Sequence, residues 1–228
     1  MAEGAAAAIL LAAGRGTRLG TGVPKGLVEI GGRSLVAWAV AAVDACSEID
    51  GLVLVAPEGD ERAVARDASS SKLVAVVAGG ERRQDSVRLG LQAVPAGHAR
   101  VVCHDVARPF AGPELFSAVL AALQDADGAV PVVPSVDTLK RVKDGAIQGT
   151  VPREEIFLAQ TPQAFRRAAL EEAHRRAAAD GVEATDDAAL LERAGFRVVA
   201  VSGAPENFKV TDAVDLVRAR ATAGSGRG

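Results

Sequence analysis

A chain of 228 residues, 49% of them apolar, holds enough material for one well-cored domain, which excludes a wholly disordered protein. A net charge of −3, no Tyr, one Trp and six Phe exclude the broad basic and aromatic surface that nucleic-acid binders use, so the cations read as local tools for a small anion. The two cysteines, Cys46 and Cys103, suggest no disulfide framework, and His98, His104 and His174 share no zinc-ligand spacing.

The apolar stretch Ala5–Ala13 is too short to cross a bilayer, and Glu3 stands where a signal peptide carries basic residues. It reads instead as a strand over Ala8–Ala13, and the chain as a cytoplasmic protein with no membrane partner. Ser34 is placed to cap a helix whose apolar stripe is Leu35, Trp38, Ala39, Ala42 and Val43. Then follow "GLVLVA" as a strand, Glu58–Ala68 as a helix, "KLVAVVA" as a strand, Arg82–Val94 as a helix, "RVVCHD" as a strand, Pro113–Gln124 as a helix and "GAVPVV" as a strand. This alternation predicts an α/β fold: a Rossmann-like, doubly wound, mostly parallel sheet with helices on both faces.

The segment Asp137–Ala159 breaks the rhythm. It alternates like a strand, carries the turn signal "KDG" and has no apolar helical face, so it reads as a protruding β-hairpin arm within a single domain spanning 1–228. So short a hairpin needs a partner, and a second copy of the chain is the expected one. Helices resume at Arg166–Ala179 and Asp186–Ala194. "FRVVAVSG" is the last strand, Thr211 is placed to cap a closing helix, and 223–228 reads as a disordered tail.

Chemistry concentrates in the loops beyond the strand ends, where open α/β sheets bind ligands. The stretch "LLAAGRGTRLGTGVPKG" ends an apolar strand in a loop with Gly14, Gly16, Gly20 and Gly22, the cations Arg15, Arg18 and Lys25, and no acid. Such a loop brings backbone N–H groups and positive charge to a triphosphate. The spacing fits neither the dinucleotide fingerprint nor the P-loop. Asp105, at the end of an apolar strand, either holds Mg²⁺ against phosphate oxygens or closes a turn. Arg108 is placed for a second anion. Ser86, in "GGERRQDS", either offers its hydroxyl to a base or sits in a helix's first turn, and Lys209 either reaches phosphate or is solvated. His104 reads as structural, and neither cysteine has an activating partner.

These residues carry a resemblance. "AAGRGTRLGTGVPKG" is similar to the signature of sugar-nucleotide-type nucleotidyltransferases. "GGERRQDSV", "HDVARPF", "VDTLKRV", "AQTPQAF", "EATDDAALLE" and "NFKVT" resemble, more narrowly, the 2-C-methyl-D-erythritol 4-phosphate cytidylyltransferases of isoprenoid precursor synthesis. The resemblance implies CMP transfer from CTP to the methylerythritol phosphate, with release of pyrophosphate. It implies Arg18, Lys25 and Lys209 as catalytic cations and Asp105 as the Mg²⁺ ligand. Ala12, Ala13, Gly14, Gly16, Gly80, Ser86 and Asp105 would surround the nucleotide. Arg108, Asp137, Thr138, Thr161, Thr185 and Lys209 would line the sugar-phosphate pocket, and Arg153 on the arm would reach a partner subunit's site in a homodimer. Gly26, Leu19 and Val106 depart from the family's usual Gln, Met and Ala. The alternatives are a ribitol-5-phosphate cytidylyltransferase, similar over the same motifs, and, further off, a nucleotide-binding sensor without turnover.

Overall fold

A computed structural model describes residues 5–14, 16, 19, 20 and 22–224. The strand β1 (Ala6–Leu11) shows how the core is organised, because its alternate residues feed two different clusters. Ala6, Ala8 and Leu10 pack into one and Ala7 and Ile9 into the other. A strand with period-two side chains buried on both faces must sit inside a three-layer sandwich. The first cluster is closed by α1 (Leu35–Ala45), α2 (Glu61–Arg66) and α4 (Pro113–Ala121). The second is closed by α3 (Arg83–Ala93), α5 (Arg167–Asp180) and α6 (Asp187–Arg193).

The sheet orders β5 (Leu73–Ala78), β4 (Ile49–Ala56), β1 and β6 (Arg100–Asp105) side by side and parallel, while β2 (Glu29–Ile30) and β3 (Arg33–Ser34) pair with each other outside it. Beyond β6 lie β11 (Gln163–Arg166), antiparallel, and then β7 (Gly128–Pro134). Val132 of β7 pairs both with Ala159 of β10 (Phe157–Ala159) and with Ser202 of β12 (Val198–Ser202). A strand has two edges, so β10 and β11 share one and β12 takes the other, parallel. The expected doubly wound, mostly parallel sheet is therefore what forms. The antiparallel insertion of β11 is a finding beyond it.

The arm is shorter than its expected span. Its hairpin consists of β8 (Leu139–Lys143) and β9 (Ala146–Val151), while β10 returns to the main sheet. Asp144 and Gly145 at its tip have φ of 51° and 77°, the pair of positive angles that a two-residue hairpin turn of matching twist requires. Val142 and Ile147, paired across the hairpin, are 58% and 66% exposed.

Local signals set the helix ends. The Ser34 hydroxyl accepts the Ala37 N–H at the start of α1, as expected. The last turn of that helix contains no cation, and Lys72 supplies one from outside, its Nζ donating to the carbonyls of Val43, Asp44 and Cys46 at 2.8–2.9 Å. The closing helix α7 (Ala213–Gly224) is capped by Asp212, not by Thr211. Asp212 Oδ1 accepts from the N–H groups of Val214 and Asp215, Asp215 reaches back to the Thr211 N–H, and the Thr211 hydroxyl donates to the Lys209 carbonyl instead. This helix continues through Ala223 and Gly224, the first two residues of the expected tail. Residues 225–228 lie outside the described residues. Among the described residues, no helix is long and apolar enough to cross a membrane.

Candidate active site

The parallel strands β1, β5 and β6 end on one edge of the sheet, and their loops enclose a cleft of about 370 Å³. Its lining includes Ala12, Ala13, Gly14, Gly16, Lys25, Gly80, Ser86, Asp105 and Lys209, so nine of the expected site residues come together there. Arg18, the expected partner of Lys25, lies outside the described residues, as does Arg15.

Backbone proximity explains the glycines. At Gly16, where φ is 67°, an added Cβ would stand 2.9 Å from Lys25 Cβ, and the Lys25 N–H donates to the Gly14 carbonyl at 3.2 Å. Any side chain at position 16 would be strained and could enter only if Lys25 or the loop shifted. Across the cleft, a Cβ at Gly80 would fall 2.4 Å from Asp85 Cβ, and one at Gly79 2.5 Å from Ala13 Cβ. The Ser86 hydroxyl is committed internally, accepting from the Gly80 N–H and donating to the Arg82 carbonyl, each at 3.1 Å. It therefore shapes the glycine turn and has no proton to give a ligand. Gly26 fits its site closely: a Cβ would meet Val36 Cγ2 at 3.0 Å and Ala12 Cβ at 3.2 Å.

Asp105 is the electrostatic centre. Its Oδ2 accepts from Lys209 Nζ at 2.6 Å and its Oδ1 from Arg83 Nε at 3.1 Å. Burial by itself would raise this carboxyl, but the charges of Arg83 and Lys209 outweigh it and hold the group well below the usual carboxylate range. Arg83 continues inward: its Nη1 donates to Asp187 Oδ2 at 2.7 Å, and Asp187 Oδ1 meets His174 Nε2 at 3.1 Å. Burial opposes the charge of Arg83, yet Asp187 and Asp105 together raise its pKa, and Asp187 in turn is lowered against its own burial by Arg83 and His174.

This ladder of Lys209, Asp105, Arg83, Asp187 and His174 was only partly expected, since Arg83, Asp187 and His174 had no assigned role. Doubled residues were the available signal. In "DD" one aspartate suffices as a cap, and Asp186 fills that role by accepting from the Ala189 N–H, which leaves Asp187 for another. In "RR", Arg82 pairs with Asp85 at the surface and Arg83 turns inward.

The expected sugar-phosphate residues are dispersed. Thr161 does not line the cleft. It is buried beneath it, with Oγ1 accepting from the Asp105 N–H and hydrogen-bonded to His104 Nδ1, both at 3.0 Å. Arg108 donates to the carbonyls of Asn207 and Ala159. Thr185 borders a neighbouring hollow of about 510 Å³ shared with Arg82, Arg83 and Gln84. Asp137 and Thr138 are exposed at the base of the arm, where Arg153 Nη1 donates to the Val136 carbonyl. His104 is structural, as expected: buried against Phe116, it is pushed down to about 4 by its burial.

Mg²⁺ would find two carboxylates in the lining of the cleft, Asp105 and Glu81, and among the described residues no group of three or more His, Cys, Asp or Glu side chains could cage an ion. An ion here would share its ligands with a nucleotide's phosphates, as Mg²⁺ commonly does.

The model of the family described as 2-C-methyl-D-erythritol 4-phosphate cytidylyltransferase matches residues 6–225. The chain belongs to that family. Among curated cytidylyltransferases of this description, that of Deinococcus radiodurans is 44% identical over 218 residues, covering 96% of this chain and 89% of that protein. The bifunctional enzyme IspD/IspF of Anaeromyxobacter dehalogenans is 45% identical over 218 residues, covering 93% of this chain and 55% of that protein. The chain thus spans about half the length of such bifunctional relatives. Among solved structures, the cytidylyltransferase of Thermus thermophilus superposes with a TM-score of 0.79 at 38% identity, covering 95% of this chain and 98% of that one. The 4-diphosphocytidyl-2C-methyl-D-erythritol synthase of Anaerococcus prevotii superposes at 0.86 with 29% identity, covering 97% and 99%.

Proposed function

We propose that this chain transfers the cytidylyl group of CTP to 2-C-methyl-D-erythritol 4-phosphate, forming 4-diphosphocytidyl-2-C-methyl-D-erythritol and pyrophosphate. The observation that carries this reading is a single cleft holding Lys25, Lys209, Arg83 and Asp105 against a wall of glycine backbone. An oxygen of the substrate's phosphate monoester attacks the α-phosphorus of CTP, the bond to the β-phosphate bridging oxygen breaks, and pyrophosphate carries away the electron pair. The attacking oxygen is already ionised near neutral pH, so no general base is required. The surroundings agree: burial keeps His104 neutral and raises the Cys103 thiol.

What the site must supply is charge neutralisation and alignment of two anions. Lys25, packed along Gly14 and Gly16, would face the triphosphate from one wall and Lys209 from the other; Arg18, the second cation expected beside Lys25, lies outside the described residues. Asp105 would hold Mg²⁺, which withdraws charge from the phosphate oxygens that share it.

The exposed apolar residues of the arm and of β10, Val142, Ile147, Phe157 and Leu158, support a homodimer built on this element, with Arg153 carried toward the partner's cleft. A CTP-dependent enzyme of this kind works where CTP is made, in the cytoplasm. The test is a pyrophosphate-release screen of the four nucleoside triphosphates against methylerythritol phosphate and ribitol phosphate, with and without Mg²⁺. Release confined to CTP, methylerythritol phosphate and Mg²⁺ is expected. Faster release with ribitol phosphate, or none with any pair, refutes the assignment.

A further inference from the structure

The segment between β12 and α7 carries Lys209 but forms no ladder of its own, so its backbone must be anchored elsewhere. Two buried amides supply much of the anchoring. Gln160 binds both polar groups of Ala204, accepting its N–H at 3.2 Å and donating to its carbonyl at 2.8 Å. Asn207, with no exposed surface, donates through Nδ2 to the Thr161 carbonyl at 2.8 Å and to Gln160 Oε1 at 3.2 Å. Thr161 is the residue whose hydroxyl receives the Asp105 N–H. The pair 160–161 therefore touches the backbone of Asp105 on one side and the lysine's loop on the other. Two residues beyond Asn207, Lys209 closes the circuit onto Asp105 Oδ2 at 2.6 Å, and the Val210 N–H donates to the Ala107 carbonyl at 2.8 Å.

Two details point to geometry rather than packing as the reason for an asparagine. The amide orientation is set by its surroundings: Nδ2 faces two oxygens, so the flipped amide would put Oδ1 against both. In the orientation adopted, Oδ1 is buried without a partner. An unpaired buried acceptor is costly, and an apolar residue would avoid that cost while losing both donated bonds.

We propose, on the cytidylyltransferase reading above, that Asn207 is a positioning residue whose carboxamide, seated on Gln160 and Thr161, sets the Lys209 ammonium against Asp105. Asn207 is fully buried and cannot touch a substrate, so it acts on turnover only through what it holds. Arg108 contacts its backbone carbonyl, which a substitution keeps.

A double-mutant cycle tests this. Asn207→Ala should lower kcat by about 10- to 100-fold, the scale expected from misplacing a catalytic group by roughly 1 Å. In a Lys209→Met background the same substitution should cost less than half as much on a logarithmic scale. An equal loss in both backgrounds, or no loss in the first, overturns the proposal. If Asn207→Ala does not fold, Asn207→Ser is run through the same cycle. A spectroscopic arm needs no turnover. In ¹³C-methylated protein the Lys209 resonance, assigned by its disappearance in Lys209→Met, should move toward the exposed lysines in the Asn207 variant, and an unmoved resonance also overturns the proposal. Wild-type protein without CTP turnover would count against the proposed function, whereas the lysine resonance judges the positioning role by itself.

Discussion

Asp187→Asn is the sharpest probe of the buried ladder. The carboxylate is 1% exposed and is bound by Arg83 Nη1 at 2.7 Å and by His174 Nε2 at 3.1 Å. Asparagine keeps the shape and one acceptor oxygen but removes the charge and places an NH₂ against a donor. Removing one partner of a buried ion pair costs about 3–5 kcal/mol. Here Arg83 keeps Asp105 and its side chain is 26% exposed, which brings the cost to or below the bottom of that range, roughly 2–3 kcal/mol. For a domain of this size that corresponds to a fall of about 4–12 °C in Tm. The pH dependence carries the diagnostic sign. A carboxyl depressed in the folded state contributes stability that is complete above its unfolded value, about 3.9, and is lost as pH falls through the folded value. Urea unfolding of both proteins should therefore show the full gap near pH 7 and a narrowing gap below about pH 4. Asp105, depressed in the same sense, is present in both and cancels. A gap that stays constant as the pH is lowered would mean that Asp187 contributes through shape alone, and the electrostatic account of the ladder would be wrong.

The other expectations are direct. Lys25→Ala should lose on the order of 10²–10³ in kcat, as for removal of one donor to transition-state charge, and a variant within a few-fold of wild type in steady-state assays would remove Lys25 from the mechanism. Changing both Val142 and Ile147 to Lys puts like charges across the hairpin on its exposed apolar pair. If the arm pairs two copies as proposed, light scattering should report a dimer for the wild type and a monomer for the variant, with the melting of the main domain little changed; a dimer in both would place the interface elsewhere.

The fold was legible because β1, β4, β5, β6 and β7 are apolar runs of strand length separated by amphipathic helices, a pattern that burial on both faces imposes. β11 was not legible. Its four residues, "QAFR", run straight into α5 and read as the approach to a helix, and their partners in β6 lie some sixty residues earlier in the chain. The site divides in the same way. Lys25, Asp105 and Lys209 stand out as charges at strand ends or before a cap. Arg83 and Asp187 are 104 residues apart, and only the packing of α3 against α5 and α6 makes them partners. Thr161 shows the converse limit: its resemblance-based role placed it in a substrate pocket, whereas its hydroxyl is spent beneath Asp105. The hydrogen-bond partners of a buried hydroxyl are set by tertiary structure, and no periodicity reports them.

The ladder also indicates which cation is free to move when an anion arrives. Asp105 is shared by two cations, and they are held very differently. The Lys209 side chain is 40% exposed and has water as an alternative partner, so its pair with Asp105 resembles a surface ion pair, worth about 0–1 kcal/mol. Arg83 is bound at both ends, and withdrawing it would leave the buried Asp187 carboxylate with His174 as its one remaining named partner. Lys209 can therefore exchange a carboxylate oxygen for a phosphate oxygen at little cost, while Arg83 stays and keeps Asp105 ionised. The asymmetry is measurable without substrate. Lys209→Met should change unfolding free energy by less than about 1 kcal/mol, whereas Arg83→Met should lose several. If the lysine variant were destabilised as much as the arginine variant, Lys209 would be a structural ion and not a group held ready for phosphate.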